Sequence, residues 1–74
     1  MENNLQSKRI FYEILRIAQK DKKYTSILTK GSYKMASGYI SQLNTEYVTL
    51  ENEYSLQDID LANIIRVIRY KGDK

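Results

Sequence analysis

The sequence predicts a mainly β fold with one N-terminal helix, a small five-stranded barrel, and three observations carry that expectation. Residues 5–20 keep a helical period, the chain from Tyr24 onward shortens toward a period of two, and a single glycine, Gly38, interrupts the second β-like run. Glycine inside a strand marks a bulge, a sharp bend or the close approach of another backbone, any of which helps a short strand curl. An ordinary loop glycine is the plainer alternative.

The helix over 5–20 places Ile10, Phe11, Ile14, Leu15, Ile17 and Ala18 within about 160° of arc at 100° per residue, an apolar stripe that must pack on something. Arg9, Glu13, Arg16 and Lys20 share the other side, where Glu13 is spaced to pair with either arginine. Asp21-Lys22-Lys23 ends this period. A first strand is predicted over 23–29, with a turn at Lys30-Gly31-Ser32, and a second over 33–43 that crosses Gly38. Asn44-Thr45 turns the chain into a third strand over 46–51, Asn52-Glu53 into a fourth over 54–61 with Ile59 and Leu61 on one face. The run 64–70 is apolar enough for a core strand, with a helix as the alternative reading. The connection through Leu61-Ala62-Asn63 is tight, and Asn63 tolerates the left-handed backbone such a connection often uses.

With 74 residues the chain makes one domain, 1–74, close to the lower size at which a single core suffices, so oligomerisation is expected. There is no cysteine and no histidine, which removes disulfides and the usual zinc ligand sets. The longest apolar runs are far short of a membrane span, and Met1-Glu2-Asn3-Asn4 lacks the layout of a signal peptide, so the expectation is a cytoplasmic protein without membrane contact. The net charge of +3 hides an asymmetry: residues 1–37 carry eight Lys/Arg against three acids, residues 38–74 four against six. Such polarity suits a polyanion surface, and equally keeps a small protein soluble.

Two segments carry a resemblance. Gly38-Tyr39-Ile40, then Leu43-Asn44, then Tyr47-Val48-Thr49-Leu50 is similar to the first Sm motif. Ile59-Asp60-Leu61-Ala62-Asn63-Ile64-Ile65-Arg66-Val67 is similar in outline to the second. With the helix, these cover most of residues 5–70, and the chain resembles the Sm-like (LSm) fold, an SH3-type barrel, and within it the Hfq-like branch. A similar strand order also occurs in YolD-like small proteins. The resemblance implies a ring closed by the fourth strand of one copy against the fifth of the next, RNA as ligand, and a lateral RNA surface on the helix that includes Arg16. The segment comparable to the Tyr-Lys-His of the Hfq uridine pocket reads Ile59-Asp60-Leu61 here, and Glu46 stands at the base-stacking position with Tyr47 beside it.

The residues themselves offer Arg9, Arg16 and Lys20 as phosphate contacts, since arginine forks onto phosphate and lysine supplies a point charge. A solvated helix face with intrahelical ion pairs is the plain alternative. Lys30, Tyr33 and Lys34 form a second basic and aromatic cluster at the first strand turn, and Tyr47 is a further stacking candidate. Among seven tyrosines, Tyr24 and Tyr39 also fall on or near strand ends, where tyrosine commonly serves packing. Asp58 and Asp60 share a strand face but have no third ligand type nearby, and edge protection accounts for them better than a metal or acid–base pair. No nucleophile–base, phosphate-loop or dinucleotide motif is present, so neither an enzyme nor a cofactor is expected. The expected function is non-catalytic RNA binding. The alternative is a small phage or mobile-element protein that inhibits a host defence protein by direct binding, or sequesters a nucleotide.

Overall fold

The computed structural model describes residues 3–32 and 34–69, with side chains from residue 8 onward. The order is α1 (Asn3–Lys20), β1 (Thr25–Thr29), β2 (Ala36–Leu43), β3 (Tyr47–Glu51), β4 (Leu56–Asp60), the 3-10 turn η1 (Leu61–Asn63) and β5 (Ile64–Arg69). The five strands form one antiparallel sheet in the order β4-β3-β2-β1-β5. The sheet is not closed into a barrel, which corrects the sequence expectation. Both β4 and β5 are edges, because no ladder joins them among the described residues and η1 alone carries the chain from one to the other. β5 is an edge strand that still contributes to the core as expected, through buried Ile64 with Val67 packed against it, while Ile65 is 53% exposed. Tyr70 lies outside the described residues.

Gly38 makes the curvature. Residues 36–38 of β2 pair with β1, while from Tyr39 onward β2 pairs with β3, so the strand changes partner at the glycine. A Cβ there would sit 2.5 Å from the carbonyl oxygen of Glu51. Close backbone approach is therefore the reason for this glycine. A register shift between Ile40 and Gln42 follows, and it accounts for a spacing that alternation alone does not: Ile40 and Leu43, three apart, both turn toward the core.

α1 packs against β2, η1 and β5. Leu15 and Ala18 join Ile27, Ile40, Val48, Leu50, Ile59, Leu61 and Ile64 in the core, with Phe11, Tyr12, Ala36, Leu43 and Val67 partly buried around it. The helical stripe is wider than its cover: Ile10 and Ile17 stay 57% and 43% exposed. Among the described residues, the buried polar side chains are satisfied. Thr25 Oγ1 donates to the Lys23 carbonyl (3.0 Å), the Ser26 and Ser37 hydroxyls bond at 2.7 Å, and Thr49 Oγ1 donates to Asp58 Oδ1 (2.6 Å).

Side-chain hydrogen bonds in the turns make two strands start later than β propensity suggests. The second strand starts at Ala36 rather than 33, since the Ser32 hydroxyl accepts from the Lys34 amide and donates to its carbonyl. The fourth starts at Leu56 rather than 54, since Asn52 Oδ1 accepts from the amides of Tyr54 and Ser55. Asp60 accepts from the Ala62 amide and caps η1 (2.9 Å). That turn replaces the left-handed Asn63, for among described non-glycine residues only Lys22 has positive φ.

Lys22 (φ 55°) sits where the helix ends: the Lys23 amide donates to the Ala18 carbonyl and the Lys22 amide to that of Gln19. This is the Schellman pattern, whose left-handed position favours glycine. Lys22→Gly is accordingly expected to stabilise the fold by about 1 kcal/mol and raise Tm by about 5 °C, measurable by thermal melting followed by circular dichroism.

Candidate nucleic-acid interface

The helical period puts Arg9, Arg16 and Lys20 on one row along the exposed side of α1. Arg16 is held by Glu13: its Nε and Nη2 both donate to Oε1, at 3.1 and 2.9 Å. Arg9 and Lys20 have no ion-pair partner among the described residues. Lys8 Nζ reaches Glu46 Oε1 at 3.2 Å and ties the start of the helix to the β2–β3 turn. That turn is shaped by Asn44, whose Oδ1 accepts from the amides of Glu46 (2.7 Å) and Tyr47 (2.9 Å). Between helix and turn lies a cleft of about 410 Å³ lined by Lys8, Arg9, Tyr12, Glu13, Thr45 and Glu46. Two cations and two carboxylates line it, so it carries no net charge, and Arg9 belongs both to this cleft and to the outer row of the helix.

Of the residues singled out in the sequence, Arg9, Arg16 and Lys20 are brought together by this one helix face. Lys30 and Lys34 are exposed in the β1–β2 turn, which is anchored separately: the Lys30 amide donates to the Asn63 carbonyl (2.9 Å). Tyr33 lies outside the described residues. Tyr47 opens β3 and is 36% exposed, but it does not line the cleft beside Arg9. Sequence reasoning missed Lys8 and Tyr12. Their signal was the four-residue spacing, which stacks them on the flank of α1 that meets the β2–β3 turn.

Charge is segregated over the fold. No Lys or Arg occurs between Lys34 and Arg66, and that stretch holds Glu46, Glu51, Glu53, Asp58 and Asp60. Edge β4 therefore carries Asp58 and Asp60, and edge β5 carries Arg66 and Arg69. The aspartates have structural work: Asp58 accepts from Thr49 and Asp60 caps η1. Among the described residues no group of three or more metal-ligating side chains occurs, and no helix is long and apolar enough to cross a membrane.

A second cleft, of about 680 Å³, has the opposite character. Tyr24, Tyr39, Ile40, Ser41, Glu51, Asn52, Glu53 and Tyr54 line it. Tyr24 and Tyr39 meet edge to face, with ring centroids 5.3 Å apart and planes at 80°. Comparison with models of protein families, with curated proteins and with solved structures returned no match to this chain.

Proposed function

We propose that this chain is a non-catalytic, cytoplasmic RNA-binding protein of Sm-like, Hfq-like type that acts as a ring of identical subunits. The observation that carries the reading is the exposed row Arg9, Arg16, Lys20 on the helix, two of whose cations have no ion-pair partner among the described residues. A polyanion lying along α1 would meet these three charges in turn, and charge would supply most of its affinity. The β1–β2 turn, with Lys30 and Lys34, offers a second phosphate contact, and Tyr47 a ring for a base.

Ring formation draws support from the two edges. An acidic β4 and a basic β5 complement each other between neighbouring copies, and joining them pairs backbone groups that one open sheet leaves exposed. Such a contact is head to tail, which closes into a ring when the rotation allows.

The test combines mass and binding. Light scattering of the purified protein is expected to give a closed oligomer, and fluorescence anisotropy with single-stranded RNA is expected to show affinity that falls steeply with salt. A stable monomer at high concentration would sink the ring, and salt-insensitive or absent binding would sink the RNA reading. A protein-docking module that inhibits a host protein is the second reading, favoured by the exposed side chains of Tyr39 (53%), Tyr54 (87%) and Leu56 (67%).

A further inference from the structure

The cleft at the start of β1, the bend of β2 and the β3–β4 turn has a composition unlike the rest of the surface. Three tyrosines line it together with two carboxylates, Glu51 and Glu53, and among the described residues no cation contributes to the lining. Neither glutamate has an ion-pair partner among the described residues. The fold brings these groups together through particular contacts. Tyr39 stands opposite Glu51 in the β2–β3 ladder. Asn52 Nδ2 donates to the Ser37 carbonyl (2.7 Å) and pins the turn against β2, while its Oδ1 holds the amides of Tyr54 and Ser55. The edge-to-face pair of Tyr24 and Tyr39 forms two walls at nearly a right angle.

Aromatic faces attract organic cations through their quadrupole, and a nearby carboxylate adds direct charge attraction. The same carboxylates repel phosphate. We infer that this cleft binds a lysine or arginine side chain presented by a partner polypeptide, a site separate from the helix row and of opposite preference. Charge complementarity favours a cationic occupant, and the breadth of the cleft admits a long side chain together with part of the chain that carries it. The site does not depend on RNA binding: variants of α1 and variants of the cleft separate the two.

The experiment is an amide-resolved NMR titration of the whole protein with a short alanine peptide containing two arginines. The same peptide with glutamates and arginine amide alone serve as comparisons. Saturable shifts at residues 38–41 and 51–54 are expected with the arginine peptide and not with its glutamate counterpart. Tyr54→Ala is expected to weaken binding at least fivefold, and because Tyr54 is 87% exposed the fold tolerates the change. Tyr54→Phe, which keeps the ring, is expected to retain it. Glu51→Gln with Glu53→Gln is expected to weaken it at least tenfold, whereas Arg9→Ala, Arg16→Ala and Lys20→Ala leave it unchanged. Absence of saturable shifts, equal shifts with the glutamate peptide, or binding that survives the double glutamine variant would each overturn the site. Equal affinity for arginine amide and the peptide would overturn the polypeptide as its source.

Discussion

Gly38→Ala is expected to destabilise this protein by about 3 kcal/mol or more, which lies at the upper end of what overpacking costs. The added Cβ would stand 2.5, 2.8 and 3.0 Å from the oxygen, carbon and nitrogen of Glu51. All three are backbone atoms of β3, so no side chain can rotate away. Relief requires β2 and β3 to separate at Tyr39–Glu51, the rung where β2 takes up its second partner. A domain of 74 residues holds roughly 4–11 kcal/mol in total, so the loss is a large share of it. In urea the midpoint is expected to fall by about 3 M at an m-value near 1 kcal/mol/M.

Gly31→Ala provides the comparison that separates two reasons for a glycine. Gly31 has φ +76° and nothing within 4 Å of its hypothetical Cβ. Its cost is the left-handed backbone alone, about 1 kcal/mol, and asparagine should recover part of it. Equal losses at both positions would show that close packing against Glu51 does not govern Gly38.

Gly38 is legible in the sequence because a strand gives up side-chain packing at a lone glycine chiefly where it bends or where another backbone comes close. The five strands and the helix were likewise readable, since period and propensity are local properties of residues such as Ile27, Val48 and Leu50. Boundaries were less so. Tyr54 and Ser55 have the composition of a strand, but the Asn52 side chain captures their amides and bends the chain first. The openness of the sheet was not readable, because it depends on whether β4 and β5 meet across the whole fold. The helix row could be found from 100° steps alone, whereas the aromatic and acidic cleft could not. Setting Tyr39 opposite Glu51 requires the register beyond the bend, and the shift at Ser41 defeats simple counting from the turn.

Substituting Arg9, Arg16 and Lys20 together by alanine is expected to lower affinity for single-stranded RNA about a hundredfold at 0.1 M salt. For a single strand each phosphate contact contributes about 0.7 to the slope of log affinity against log salt, so three contacts contribute about two. At about 1 M salt these contributions vanish, and one decade below that a slope of two amounts to a factor of about one hundred. Alanine is the best helix former, and the exposed Arg16–Glu13 pair adds little stability, so the fold should survive. Lowered affinity with an unchanged salt slope would mean that the three cations shape α1 without touching phosphate. An unchanged affinity and slope would remove the helix row from the interface and leave the β1–β2 turn, where Lys30→Ala with Lys34→Ala would then carry the same measurement. If the subunits form a ring, each copy presents the same row, and losses multiply across all subunits that one strand engages. A long RNA should then lose far more affinity to the triple substitution than one spanning a single helix, and an equal loss for both lengths would argue that one subunit binds alone.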